Sequence, residues 1–258
     1  MSKLQRRTSI VDFIDEKGQI SFSELKLRFP NVSDMTLRTD LKELDGQGKI
    51  IRVHGGARTI KESAKVNDSF FLRETRNLEN RQRIAWKAAE LLRKELAQKP
   101  NVSIYMDCGV TITEIAKRFP DEWCSIVTNS ISTAYMLSAL KKPSVTVLGG
   151  LLNRINCSCD SIRNMEELER MNFDITFLPT AGFAEGVDFT CSKEVMDDMR
   201  WTILKHSKKI IIPMDSSKVG KIFQVTHIRL EDVDMIISDD ELPEETRRLF
   251  AEKGVEVL

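Results

Sequence analysis

Six short apolar runs, at residues 102–106, 124–128, 144–148, 174–178, 209–214 and 235–238, constrain the fold more than any other feature of the chain. Each ends in a polar or glycine-bearing turn, and helical patterns separate them at residues 81–98, 111–119, 131–140, 165–171, 192–207 and 243–253. Short apolar strands alternating with helices predict an α/β domain built on a mostly parallel sheet covered on both faces. In such sheets ligands bind outside the carboxyl ends of the strands.

The first sixty residues follow a different plan. Apolar spacing predicts helices over residues 4–15, near Leu25 to Phe29, and over 34–47. Gly18 ends the first, Ser21 or Ser23 caps the second, and Pro30 stops it. Ser33 caps the third, with Asp34 in its first turn and Leu37, Leu41 and Leu44 on the inner face. An alternating strand over 49–54 and the turn Gly55-Gly56 follow. Helix, helix, turn, helix, hairpin is the order of a winged helix-turn-helix. The expected organisation is a DNA-binding domain at 1–57, a connecting segment at 58–80 with Phe70 and Phe71 docking on a neighbouring domain, and an α/β domain at 81–258.

Composition narrows the function classes. Residues 1–60 carry 11 basic and 8 acidic side chains, against 28 and 31 in the remainder, an asymmetry too small to argue nucleic-acid binding alone. No run approaches the eighteen or so apolar residues of a membrane span, and the start lacks a signal-peptide core, so a cytoplasmic protein is expected. Cys108, Cys124, Cys157, Cys159 and Cys191 are odd in number and scattered, and His54, His206 and His227 do not cluster with them. Reduced thiols, no metal and no cofactor are expected.

A recognition helix needs a polar outer face whose first residues reach base edges. The outward set here is Ser33, Met35, Thr36, Arg38 and Thr39, with Arg52 and His54 on the wing. Arg38 suits bidentate contact with guanine, Met35 or Thr36 a thymine methyl, and Ser33 a phosphate. At the strand ends of the second domain, Asp107, Gly109 and Thr111, then Thr128 and Asn129, then Gly149 and Gly150, and finally Lys218 mark one edge suited to an anion.

Val32, Ser33, Thr36, Leu37, Arg38, Asp40 and Leu41, then Leu44 and Gly48, then Arg52 through Ala57, resemble the signature of the deoxyribose-operon repressor (DeoR) family. The resemblance covers essentially the whole chain. It implies a bacterial repressor with a sensor domain similar in fold to sugar-phosphate isomerases and deaminases, a phosphorylated sugar as effector, a double-stranded DNA operator, and a homodimer or homotetramer. The chain departs from the family at Thr39, where a second arginine is usual, at Val110, where a hydroxyl is usual, and at Cys157-Ser158-Cys159-Asp160, Pro179 and Thr180. An enzymatic alternative places a base at Asp107 or Asp215 and phosphate at Lys218, with only Asp188 and Glu194 nearby in sequence as second acid-base groups. A third reading is a DNA-binding regulator that senses no ligand.

Overall fold

A computed structural model describes residues 3–46, 49–53, 55–59, 70–192 and 199–258. The chain divides into two compact units, Met1–Asp68 and Ser69–Leu258. Among the described residues no helix is long and apolar enough to cross a membrane. The five cysteines are present as thiols.

In the first unit, α1 (Lys3–Lys17), β1 (Gln19–Ser21), α2 (Phe22–Arg28) and α3 (Asp34–Gly46) precede the hairpin β2 (Ile50–Val53) and β3 (Gly56–Thr59). The chain leaves α1 through Gly18 at φ +78°, a conformation that glycine adopts without steric cost. Ser21 and Glu24 form a reciprocal capping box that starts α2. Ile10 and Ile14 of α1, Leu25 of α2, Leu37, Leu41 and Leu44 of α3, and Ile20, Ile50 and Ala57 of the strands close one apolar core. The sequence pattern did not reveal β1, because three residues between two helices are too short to show a period. It pairs antiparallel with β3 in a sheet of order β1-β3-β2, with Ile20 opposite Ala57. This makes the unit a winged helix.

The second unit runs α4 (Phe70–Glu74), α5 (Leu78–Gln98), β4 (Ser103–Met106), α6 (Val110–Ala116), β5 (Ser125–Thr128), α7 (Ile131–Leu137) and β6 (Ser144–Val147). It continues with the hairpin β7 (Leu151–Asn153) and β8 (Ser158–Asp160), then α8 (Ile162–Leu168), β9 (Ile175–Phe177), β10 (Gly182–Ala184), β11 (Asp188–Cys191), α9 (Met199–Lys205) and β12 (Ile210–Pro213). The last elements are β13 (Val225–Ile228), β14 (Met235–Ile237), α10 (Glu244–Glu252) and β15 (Glu256–Val257). Seven of these strands make one sheet of order β15-β14-β12-β9-β4-β5-β6, every pair parallel.

Alternation along the central strands explains why they are apolar at successive positions, while β6 at the sheet edge is largely exposed. Ile104, Met106, Ile126, Ile211, Met235 and Ile237 enter one core with Ile84, Ala88 and Leu92 of α5. Tyr105, Val127, Ile210, Ile212 and Ile236 enter the other, with Leu168, Met199, Ile203 and Phe250. A strand buried on both faces needs no polar alternate. The second core also takes Phe183, Phe189 and Ile228 from a small antiparallel sheet of order β10-β11-β13. The Phe183 ring centroid lies 4.9 Å from that of Phe189 and 4.8 Å from that of Phe250.

The wing's closest constraint is at Gly56, where a Cβ would lie 2.0 Å from the Ile20 carbonyl oxygen, whereas one at Gly149 meets nothing within 4 Å. Gly56→Ala is therefore expected to destabilise the first unit by about 1–3 kcal/mol. Gly149→Ala should change stability by less than about 0.5 kcal/mol. Chemical denaturation followed by far-UV circular dichroism compares the two; equal midpoints would show that β1 is free to give way.

Candidate nucleic-acid interface and effector cleft

Caps and ion pairs hold the reading helix α3 in place. Ser33 Oγ accepts the Thr36 backbone N–H at 3.2 Å and lies 2.8 Å from Thr36 Oγ1, so its hydroxyl caps α3. Lys26 Nζ donates to the Val32 carbonyl at 2.7 Å and pairs with Asp34 at 3.2 Å, which ties the turn between the helices. Asp40, buried beneath α3, accepts Arg6 Nε at 2.6 Å and Arg7 Nε at 2.8 Å. Burial alone would raise the Asp40 carboxyl, but the bonds from Arg6 and Arg7 outweigh it and hold the group below the usual carboxylate range. Arg7 also pairs with Glu43, so α1 grips α3 at two successive turns.

With Leu37, Leu41 and Leu44 turned inward, the opposite face presents Met35, 80% exposed, together with Arg38, Thr39 and Lys42. These four and Arg52 of β2 line one concavity of about 430 Å³. The Arg38 guanidinium stacks 4.2 Å above the Phe22 ring centroid, which preorganises a long side chain. Thr39 Oγ1 donates to the Met35 carbonyl at 2.8 Å, so the hydroxyl at this position is satisfied within the helix. The Arg52 backbone N–H donates to Asp45 Oδ1 at 2.9 Å and fixes the wing strand to the end of α3. His54 and Gly48 lie outside the described residues.

In the second unit the strand order reverses between β4 and β9. Ligand crevices of open parallel sheets form at such a reversal, beyond the strand ends. Here the loop after β4 meets the loop after β9: a Cβ on Gly109 would lie 3.1 Å from Pro179 Cβ. Asp107, fully buried at the end of β4, accepts the Cys108 N–H at 2.7 Å and Arg200 Nε at 3.0 Å. Arg200 Nη1 also donates to His227 Nδ1 at 3.1 Å and meets Cys191 Sγ at 3.8 Å. Burial opposes the Arg200 charge, but Asp107 outweighs burial and holds its pKa above the ordinary value. Burial and then Arg200 push the His227 imidazole down to about 2. Its Nε2 is enclosed without a hydrogen-bond partner among the described residues.

Thr111 starts α6 and is buried. Thr128 Oγ1 accepts the Ser130 N–H at 3.0 Å, and the Asn129 carbonyl accepts the Cys159 N–H at 2.8 Å. Gly149 and Gly150 are exposed; at Gly150, φ +150°, a Cβ would come 2.4 Å from the Asp160 carbonyl oxygen. The stretch 157–160, which departs from the family pattern, is thus mostly strand β8, closing a hairpin against the β5 end. Lys218, half-buried after β12, makes no hydrogen bond with its ammonium among the described residues. Burial pushes the Lys218 pKa down; Asp215 opposes this, while Lys221, Arg81 and Arg73 push it further down. Asn77 Nδ2 donates to Asp215 Oδ1 at 3.1 Å and to Ser217 Oγ at 2.9 Å. Arg73 reaches the Ile155 carbonyl and lies 3.3 Å from Asn156 Oδ1. Lys218, Lys221, Arg81 and Arg73 thus influence one another near Asp215, and Glu114 and Glu74 also act on Arg81.

Residues 6–63 match the model of the DeoR-like helix-turn-helix domain, and residues 76–240 match that of the DeoR C-terminal sensor domain. The chain belongs to the DeoR family. It is a DNA-binding transcriptional regulator with a C-terminal sensor domain. An HTH-type transcriptional regulator of Haemophilus influenzae is 30% identical, with 100% of this chain and 98% of the relative covered. The lactose phosphotransferase system repressor of Streptococcus mutans is 29% identical, with 93% of each covered. Among solved structures, ribose 5-phosphate isomerase A of Methanocaldococcus jannaschii overlaps 56% of each chain at TM-score 0.40 and 12% identity.

Within this DeoR-family chain, sequence reasoning missed Lys42, although it follows Arg38 by four residues and so shares its helix face. It also missed Phe22, Arg73, Arg81, Lys221, Arg200 and His227. Arg200 lies 93 residues from Asp107, and no local pattern announces that pairing.

Two outcomes follow from the buried network. Arg200→Met, which strands the Asp107 charge, should cost about 3–5 kcal/mol of second-unit stability in urea unfolding. A loss under 1 kcal/mol would mean that Asp107 is solvated. His227 is held neutral when folded but takes up a proton when unfolded, so stability is full above about pH 6.5 and falls as pH drops below it. The expected loss is roughly 1.4 kcal/mol per pH unit below about pH 6. His227→Gln should abolish the slope between pH 6 and 5; a slope unchanged by the substitution would assign it to another group.

Proposed function

We propose that this DeoR-family regulator represses a carbohydrate-utilisation operon and that a phosphorylated sugar sets its affinity for the operator. What supports the effector reading is the Lys218 ammonium after β12, which makes no hydrogen bond among the described residues and has Lys221, Arg81 and Arg73 acting on it as well as Asp215. The resemblance to a lactose phosphotransferase system repressor supports the same class of ligand. Lys218 holds the phosphate, while Gly109, Thr111, Thr128, Asn129, Gly149 and Gly150 shape the neighbouring loops. Asp107 acts at one remove, since both its oxygens are engaged and it sets the loop through Arg200 and Cys108.

On the reading head, Met35, Arg38, Thr39, Lys42 and Arg52 face the major groove and its flanking phosphates. Ser33 and Thr36 hold the start of the helix, and His54 belongs to the wing. The reader takes in the wing through Thr59, and the second unit, from Ser69, brings Arg73 and Asn77 beside the strand ends. The chain acts as a homodimer, because one winged helix makes too few contacts for high specificity and a two-fold protein matches a palindromic site. Catalysis is not part of this reading. Asp107 is committed to Arg200, Asp215 to Asn77 and Ser217, and Glu194 lies outside the described residues.

Fluorescence anisotropy on a duplex from the region upstream of its own gene tests the reading. Affinity should fall steeply with salt, and Lys42→Ala should reduce the log–log slope by about 0.9. A panel of sugar phosphates should contain one that shifts DNA affinity by roughly 5- to 150-fold. Lys218→Ala should lose that shift while keeping DNA affinity. Absence of promoter binding would sink the regulator reading; binding that no sugar phosphate alters would sink the effector reading alone.

A further inference from the structure

We propose that the open edge of the parallel sheet, β6 with Ile131, Tyr135, Leu151 and Leu152 beside it, is the surface on which a second copy of this chain pairs. The inference rests on the homodimer reading above and adds the surface that makes it.

The two edges of the seven-stranded sheet are unlike. One is β15, two residues long at the chain terminus. The other is β6, Ser144-Val145-Thr146-Val147, which carries no charge and pairs only with β5 among the described residues. Proteins blunt an edge with shortness, charge, proline or a bulge. The first edge is short; within β6 none of the other devices is present. The Ser144 and Leu148 N–H groups donate to the Cys124 and Thr128 carbonyls, both at 2.9 Å. Strand alternation therefore turns the backbone groups of Val145 and Val147 outward.

Apolar side chains surround this edge. Leu151 is 81% exposed, Tyr135 73%, Val147 and Leu152 47%, and Ile131 39%. Tyr135 follows Ile131 by one turn of α7. The Ile131 N–H donates to the Cys157 carbonyl at 2.9 Å and the Cys159 N–H to the Asn129 carbonyl at 2.8 Å, seating the β7–β8 hairpin beside that turn. Together these side chains expose on the order of 500 Å² of apolar surface. That is about the apolar share expected of a standard interface of roughly 800 Å² per partner.

A second copy fits this edge better than a foreign strand because the edge is self-complementary. A two-fold axis at Thr146 runs β6 antiparallel to itself, placing Val145 opposite the partner's Val147 and Val147 opposite the partner's Val145. Each of these pairs exchanges two backbone hydrogen bonds, and Thr146 faces its own counterpart as a non-bonded pair. The contact uses both open edges at once, so it closes as a dimer and does not propagate.

Light scattering on the full chain at tens of micromolar, with two variants, tests the surface. The wild type should be dimeric, and Val147→Lys should weaken the dimer at least 100-fold with an unchanged far-UV spectrum. Thr146→Cys, with Cα atoms about 4.5 Å apart across the axis, should cross-link quantitatively under mild oxidation. The wild type and a Lys253→Cys control should not. A wild-type dimer that survives Val147→Lys and gives no Thr146→Cys cross-link overturns this surface while leaving the dimer standing. A monomeric wild type overturns the dimer reading and the surface together.

Discussion

A carboxylate sealed under arginine holds the working element of each unit. Asp107 and Arg200 meet in the second unit at side-chain exposures of 1% and 2%, at the point where the strand order reverses. Neither charge can be left alone there, because a lone buried ion costs several kcal/mol, so the pair commits the β4 end and α9 to one arrangement. The loop after Asp107 then carries Gly109 against Pro179, and the cleft walls follow. In the first unit Asp40 plays the same part between α1 and α3 with Arg6 and Arg7. In both cases the charge is spent on position. The groups proposed to meet a ligand lie elsewhere, on Arg38, Lys42 and Arg52 in one unit and on Lys218 in the other.

The two proposed binding surfaces differ in how their cations are arranged. The reading head spreads its cations along an open concavity with Met35 exposed between them, as suits a groove whose phosphates are distributed and whose base edges include methyl groups. In the sensor, Lys221, Arg81 and Arg73 act on Lys218 together with Asp215, which the proposed anionic effector would meet. The Arg81 guanidinium is committed through its Nη atoms to the carbonyls that end α4, including that of Glu74 at 2.6 Å, so it acts on Lys218 through its charge.

Much of the reader was legible in the residues. Ser33, Thr36, Arg38, Leu37 and Leu41 lie on one continuous helix, where spacing fixes the face directly. Lys42 was legible by the same rule and was overlooked. The sensor's central parallel strands β4, β9, β12 and β14 were legible because each is buried on both faces and therefore largely apolar, whereas the edge strand β6 is largely exposed. The hairpin β7–β8 was not: its strands are three residues long, and Leu151 and Leu152 are exposed while Ser158 is buried, so no alternation marks them. Nor was the β10-β11-β13 sheet, whose strands of three or four residues draw their stability from Phe250 in a distant helix.

Local sequence alone determined the longer helices and the central parallel strands, and which residues stand at those strand ends, because periodicity, caps and glycine or proline act within a few residues. The short strands β1, β7, β8, β10, β11 and β13 it did not show. It also determined the family, through a motif confined to one helix and one hairpin. Tertiary structure decided what those residues do. Asp107, read as a strand-end ligand, became the partner of a buried arginine. Arg73 and Asn77, read as connecting segment, became walls of the cleft. These outcomes turn on which neighbours a charge meets across tens of residues, and desolvation makes that encounter decisive: a buried carboxylate must take the arginine that reaches it.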